Sequence, residues 1–322
     1  MVLKNDKREV LSPMYDIIIN PHSSSGRGLS IWKEVEKELK KQKIAYHHYF
    51  TKKPGDATEY AKKLTEKEHT ITLIVLGGDG TVNEVVNGIQ HPSLVTLGYI
   101  PTGSSNDLAR NLGLSKDIHK ALSMIQHPSQ IVPMDLGEIR YFQDGTLAKK
   151  TFAVSCGIGF DAGVCHEALH SRMKDVLNRI GLGKLTYLGI ALKQLIKAPK
   201  AECEISFDGN LCFRLKRFLF VTAMIHRYEG GGFCFCPDAD YSDGTIDTCI
   251  VGNVCKLKIP FILPTGFTGK HLRFKGIDAY KSRSVRIVTS VPLPVHCDGE
   301  SCGFCSEILV TCKKDQIHMI VG

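Results

Sequence analysis

Apolar residues in the first third of the chain fall into short runs separated by stretches with helical spacing. Residues 14–20 (MYDIIIN) predict a buried strand, and residues 30–41 place Ile31, Val35 and Leu39 on one helical face. Residues 46–50, 56–66 and 70–76 then read as strand, helix and strand. A helix follows from Thr81, a strand over 96–100 and a short helix from Asn106. Repeated β-α-β units predict a mostly parallel sheet with helices on both faces. Ligands of such sheets bind at the carboxyl ends of the strands.

After about Gly137 the pattern changes. Strands predicted over 151–156, 202–207, 211–216, 218–225, 245–251, 284–289 and 307–311 follow one another through turns such as Asp144-Gly145 and Asp208-Gly209. Two helical insertions, 161–196 and 260–272, interrupt the series. This reads as a mainly antiparallel second domain. The expected division is residues 1–137 and 138–312, with 313–322 a candidate to return to the first domain.

A chain of 322 residues has room for about two domains. Hydrophobic residues at 43% and charged residues at 23% exclude disordered, collagen-like and coiled-coil classes. The 41 Lys and Arg exceed the 33 Asp and Glu by 8, a charge that draws the surface toward phosphates or anionic membranes. No basic tract is interleaved with aromatics, so nucleic acid is not the expected partner. The N-terminus lacks an apolar signal segment, and the nearest approach to a membrane span, 180–196, carries Lys184 and Lys193 and reads as an amphipathic helix. The expectation is a cytoplasmic protein whose twelve cysteines are reduced.

The strongest local signal is Gly77-Gly78-Asp79-Gly80-Thr81-Val82-Asn83-Glu84, between an apolar strand and a helix. Glycines let the backbone approach a ligand, and the helix N-terminus offers unpaired N–H groups to anionic oxygens. The bland alternative is a tight β-to-α turn capped by Asp79 and Thr81. Residues 101–110 (PTGSSNDLAR) repeat the arrangement, and residues 20–28 (NPHSSSGRG) form a third loop lacking the lysine and spacing of a P-loop. Taken singly, Asn106 and Asp107 read as caps and Arg110 as a solvated helix position.

The ordered series NPHSSSGRG, GGDGTVNEVVNG, PTGSSNDLARNLG, GIGFDA, SDGTID and CDGE resembles the diacylglycerol kinase catalytic-domain family, relatives of sphingosine and ceramide kinases, over nearly the whole chain. The resemblance implies an α/β nucleotide domain similar to NAD kinases and phosphofructokinases, followed by an antiparallel β-sandwich. It also implies ATP held by Asn20, Pro21, His22, Ser23, Ser24, Thr51, Gly77, Gly78, Asp79, Gly80, Thr81, Val82, Asn83 and Ser104. Asp79 and Asp107 would meet the phosphates through Mg²⁺, since carboxylates beside a triphosphate require a cation between them, and Arg110 would neutralise the transferring group. Asp243, with the carbonyls of Asp240 and Thr245, would hold a structural Mg²⁺. Asp298 would be the general base, with Glu300 beside it. The implied reaction is phosphorylation of diacylglycerol or a related lipid to phosphatidic acid, at the inner membrane surface because the acceptor is insoluble in water. Two departures stand out: the first loop has fewer glycines than is usual, and Ser104-Ser105 replaces threonines.

Other features point elsewhere. His166-Glu167-Ala168-Leu169-His170 matches the helical zinc-hydrolase pattern, with the alternative of solvent-facing imidazoles. A NAD kinase-like small-molecule kinase and a non-catalytic binding module are further readings. Residues 157–162 only imitate a dinucleotide fingerprint, because the acidic residue expected about 20 positions on is missing. Cys302-x-x-Cys305, with Cys297 and Cys312, reads as buried thiols rather than a zinc knot. The stripe Leu185, Leu188, Leu192 and Leu195 suits a core, a homodimer interface or lipid contact equally.

Overall fold

The computed structural model describes residues 14–143, 145–170, 183–199 and 201–322. Strand β1 (Tyr15–Ile19) is followed by a single turn α1 (Ser23–Gly26), helix α2 (Gly28–Lys41), β2 (Tyr46–Phe50), α3 (Asp56–Leu64), β3 (Ile71–Gly77), α4 (Asp79–Gly88), β4 (Val95–Pro101), α5 (Asp107–Asn111) and α6 (Ile118–Gln126). The four strands pair in parallel in the order β2-β1-β3-β4. All five residues of β1 are buried, which explains its uninterrupted apolar sequence. Alternation along the strand divides them between two layers. Ile17 and Ile19 meet Trp32, Val35 and Leu39 of α2 together with Leu122 of α6, whereas Ile18 meets Ala57 and Ala61 of α3 and Val85 of α4.

The second half contains β5 (Gln130–Gln143), β6 (Thr146–Phe152), β7 (Ser155–Gly159), α7 (Phe160–His170), α8 (Gly183–Lys197), β8 (Ala201–Phe207), β9 (Asn210–Met224), the short β10 (Tyr228–Glu229) and β11 (Phe233–Cys234), β12 (Ile246–Gly252), α9 (Ile259–Gly266), β13 (Ile277–Ser282), β14 (Ser284–Cys297) and β15 (Glu300–Val321). Pairing here is antiparallel throughout. Several expectations need correcting. The strands expected at 211–216 and 218–225 are one strand, β9, which absorbs the polar pair Lys216-Arg217 through an irregular register. The strand expected at 151–156 is split between β6 and β7. Cys297, Cys302 and Cys305 are buried in the second domain's apolar core, as expected of structural thiols. Of the leucine stripe, Leu195 packs in a core cluster, and the side chains of Leu185, Leu188 and Leu192 lie outside the described residues.

The expected pair of separate sheets is a single hydrogen-bonded network of thirteen strands. The reason is β15, which spans 22 residues. Its first half pairs with β14, and its end pairs in parallel with β4 through His318↔Thr96 and Met319↔Leu97. Beside it, the fully buried Asp135 on β5 accepts N–H bonds from Gly244 at 2.6 Å and Asp315 at 2.8 Å, fastening a surface turn and β15 to the same carboxylate. Removing that acceptor leaves two backbone donors without their partner, and bonds to a charged group contribute about 1.5–3 kcal/mol each. Urea unfolding of Asp135→Ala is therefore expected to show a loss of about 2–4 kcal/mol, with a smaller loss for Asp135→Asn.

Candidate active site

Two glycine loops meet face to face at the carboxyl ends of β3 and β4. A Cβ on Gly103 would stand 2.7 Å from the Gly78 Cα, so only glycine permits this approach. Asn20, at the end of β1, joins them. Its Nδ2 donates to Thr81 Oγ1 at 3.2 Å, and Ser23 Oγ, bonded to the Asn20 carbonyl, lies 2.7 Å from Thr102 Oγ1. Asp79 accepts from the N–H groups of Asp107 at 3.0 Å and Leu108 at 3.3 Å, so the acid of the 77–84 loop caps α5 after the 101–106 loop. Asn106 makes the left-handed turn this requires, at φ 52°.

The second domain reaches the same place through the turn between β14 and β15. Asp298 (φ 46°) and Gly299 (φ 81°) form a two-residue hairpin turn of the left-handed type. The Asp298 carboxylate accepts four bonds: from Asn83 Nδ2 at 2.7 Å and from the N–H groups of Ala153 at 2.8 Å, Val154 at 2.8 Å and Ser155 at 2.9 Å. Burial pushes its carboxyl above the usual range, against the pull of these donors. With every acceptor position occupied, Asp298 acts as an anchor for the turn. Glu300, one residue beyond the turn, is exposed, and its side chain makes no hydrogen bond among the described residues. Its Oε1 lies 3.9 Å from where a Gly80 Cβ would be, over the first turn of α4.

A cleft of about 270 Å³ lies between these elements, lined by Gly78, Asp79, Gly80, Ser104, Asp107, Glu229, Asp298 and Glu300. Acids crowd it. Burial, with the neighbouring Asp107, raises the Asp79 carboxyl to about 7. Asp107 is raised too, chiefly by burial, and one of its oxygens accepts from Gly231 N at 2.8 Å. The other, Oδ1, is buried with no hydrogen-bond partner. Burial raises Glu229 to about 8, partly offset by His296. His296 lies with Nδ1 3.3 Å from Gly299 N and Nε2 3.1 Å from Asp161 and 3.4 Å from Glu229, and although burial opposes its charge these two acids raise its pKa to about 9. The Asp161, Cys165, Glu229 and His296 group, with donor atoms within 4.8 Å of one another, thus reads as a hydrogen-bonded cluster rather than a metal centre.

The remaining expected site residues are dispersed. Asn20, His22, Thr51 and Thr81 line a neighbouring cavity of about 240 Å³ that also receives Lys52 and Lys53. Those two cations were missed in the sequence, although the basic pair directly after a strand was there to read. Pro21 is half-buried at the mouth of the first loop, and Ser24 Oγ is taken by Arg27 at 3.0 Å. Gly77 packs against the Thr81 side chain. Val82 lies in the apolar core, and Asn83 points to Asp298. Arg110 stacks over Tyr228 at 5.7 Å and lies against Gly232, and its Nη1 stands 4.0 Å from Oδ1 of the cleft-lining Asp107.

At the acidic turn the Asp243 carboxylate has a cationic partner from within the chain. One Asp243 oxygen is 2.6 Å from Lys281 Nζ, and the other accepts from Thr245 N at 2.9 Å. Asp240 is turned to Ser242 at 2.8 Å. An ammonium already supplies the compensating charge there. Side chains of the zinc-hydrolase pattern are engaged too. Glu167 is held by Lys193 and Gln194, His166 Nδ1 lies 2.9 Å from Ser301 Oγ, and the His170 side chain lies outside the described residues.

Comparison with known proteins decides between these readings. Residues 15–139 match the Diacylglycerol kinase catalytic domain, and residues 154–319 match the YegS C-terminal NAD kinase beta sandwich-like domain. The chain belongs to the diacylglycerol kinase catalytic-domain family. It is 30% identical to a diacylglycerol kinase of Staphylococcus carnosus (strain TM300), over 88% of this chain and 87% of that protein. Among solved structures, a diacylglycerol kinase of Bacillus anthracis str. Sterne shares the fold at a TM-score of 0.68 and 22% identity, over 97% of each chain. Yeast NADH kinase shares it at a TM-score of 0.52 and 10% identity, over 97% of this chain and 84% of that one. The protein is thus a diacylglycerol kinase-like lipid kinase of two domains, and among the described residues no helix is long and apolar enough to cross a membrane.

The raised Asp79 carboxyl has a measurable consequence. In the unfolded chain this acid ionises near the ordinary carboxylate value, whereas in the folded protein it ionises near 7. Its contribution is therefore present at low pH and is lost as pH rises through 7. Between pH 6 and 8 this group alone is expected to remove about 1.4 kcal/mol of stability, a slope that urea titrations of Asp79→Asn should lack.

Proposed function

We propose that the protein transfers the γ-phosphate of ATP, with Mg²⁺, to the free hydroxyl of diacylglycerol, giving phosphatidic acid. The observation that carries this reading is the meeting of Glu300, from the second domain, with the glycine loop and helix start of the first. Phosphoryl transfer requires chiefly positioning, charge neutralisation and a carboxylate to take the acceptor's proton.

The N–H groups at the start of α4, the hydroxyls of Ser23, Thr81 and Ser104, and the ammonium groups of Lys52 and Lys53 suit phosphate oxygens. The donor set at Asp79 and Asp107 suits a hard divalent cation, because both carboxylates line the cleft and are raised chiefly by burial, even with Arg110 Nη1 4.0 Å from Asp107 Oδ1. When bound, Mg²⁺ supplies charge neutralisation between these acids and the phosphates. The acceptor oxygen forms the new bond to the γ-phosphorus as the bond to the β,γ-bridging oxygen breaks, and its proton passes to a carboxylate.

The resemblance pointed to Asp298 for that proton. Its four donors favour a different division: Asp298 is the positioning residue that fixes the turn, and Glu300, with both oxygens unengaged, receives the proton. Asp79→Ala, which removes a phosphate-side acid, is expected to abolish transfer. A lipid acceptor is favoured over a polar small molecule by a second cavity of about 210 Å³ behind α7, lined by Phe160, Phe218, Leu219, Leu293 and Phe304.

The test follows labelled phosphate from ATP onto dioctanoylglycerol and a panel of other lipids. Glu300→Gln is expected to lower kcat at least about 100-fold, with unchanged Tm, unchanged apparent Mg²⁺ affinity and loss of the acidic limb of the pH profile. Asp298→Asn should lower both kcat and Tm. Wild-type turnover by Glu300→Gln rejects the role given to it, and failure of the wild type to phosphorylate any diacylglycerol rejects the function.

A further inference from the structure

Between Asn253 and Ile277 the chain carries Lys256, Lys258, Lys270, Arg273 and Lys275 and not one Asp or Glu. None of these five cations makes an ion pair among the described residues. The same segment holds α9 and exposes large apolar side chains. Ile259 and Ile262 face the core, while Leu257 and Phe261, one helical turn apart, are 81% and 80% exposed. Phe274 is 41% exposed. Large apolar side chains exposed to water in a segment of uniformly positive charge are the reverse of what a helix packed on a globular core needs.

The patch continues onto α8. Lys256 Nζ donates to the Ala198 carbonyl at 2.6 Å, bringing this segment against the end of α8, where Ile196 is 83% exposed. The next residues, Lys197, Ala198 and Pro199, form the rim of the apolar cavity behind α7. On that helix Gly163 and His166 line the cavity, and Cys165 lines the acidic cleft. Helix α7 thus stands between the apolar cavity and the acidic cleft that Glu300 lines.

We infer that the face formed by Ile196, Leu257 and Phe261, with the cations of residues 256–275, docks on an anionic lipid bilayer and brings the neighbouring apolar cavity up to it. Charge complementarity selects this occupant: a segment of five cations without an acid of its own, and without an ion pair among the described residues, matches an anionic headgroup layer, and the exposed aromatic and aliphatic side chains of the same segment enter the boundary with the acyl chains. A second copy of this chain would bring like charges together. The inference rests on the lipid-kinase reading only for the use made of docking, because binding itself involves no turnover.

The experiment uses the full chain in flotation assays with phosphatidylcholine vesicles, with and without 30% phosphatidylglycerol, and in activity assays on two acceptors. The wild type is expected to bind the anionic vesicles and to release as salt is raised. The double variant Leu257→Asp/Phe261→Asp, and separately Lys258→Glu/Lys275→Glu, should bind them at least tenfold more weakly. Phosphorylation of long-chain diacylglycerol in vesicles should fall in parallel, while turnover of monomeric short-chain diacylglycerol stays at the wild-type rate. Unchanged vesicle binding in both variants overturns the inference, as does sedimentation showing that Leu257→Asp/Phe261→Asp alters oligomeric state with vesicle binding intact. Vesicle binding that depends on these residues in a protein without kinase activity would sustain the surface and overturn the function proposed above.

Discussion

The Asp298 carboxylate and its four donors are the contact on which the rest of the cleft depends. Asn83 approaches from the first domain and the backbone of residues 153–155 from the second, so a single side chain fixes a hairpin turn against both halves. A buried anion gripped in this way is costly to disturb, since loss of any one partner leaves charge or donors uncompensated. The position of Glu300 follows from that grip, because only two bonds of backbone rotation per residue separate it from an immobile neighbour. His296 lies beneath the arrangement, its Nδ1 3.3 Å from Gly299 N.

Around this anchor the cleft concentrates acids that water does not relieve. Asp79, Asp107 and Glu229 all have raised carboxyl values, in each case first through burial. Such crowding opposes folding in the absence of a cation and favours a ligand set that brings positive charge with it. The acidic turn near Asp243 illustrates the alternative solution. There Lys281 supplies the charge from within the chain.

What the sequence revealed, and what it hid, follows the range of the interactions involved. Strands β1, β3 and β4 were legible because both of their faces are buried, which writes an unbroken apolar run. Strand β5 was not, because Pro133, Asp135 and Gly137 interrupt its pattern for reasons that lie elsewhere in the chain: Asp135 is there to hold Gly244 and Asp315. The Asp298-Gly299 turn could be read from two residues, but its anchoring role could not, since its partners are 143 to 215 positions away. For the same reason Asn83, which in sequence belongs to the phosphate loop, turns out to serve the opposite domain. Lys281 lies 38 residues from the acid it neutralises, so nothing near Asp243 warned that its charge was already met.

Strand β15 also bears on how the molecule is made. Ile317, Met319 and Val321 belong to the apolar cluster that includes Ile18, Leu73 and Leu97, residues synthesised much earlier. A ribosome releasing this chain therefore exposes a nucleotide half whose interior still lacks its last wall. The apolar interior of the first domain is thus complete only once β15 has been made, and the nascent front half holds uncovered apolar surface until that strand arrives.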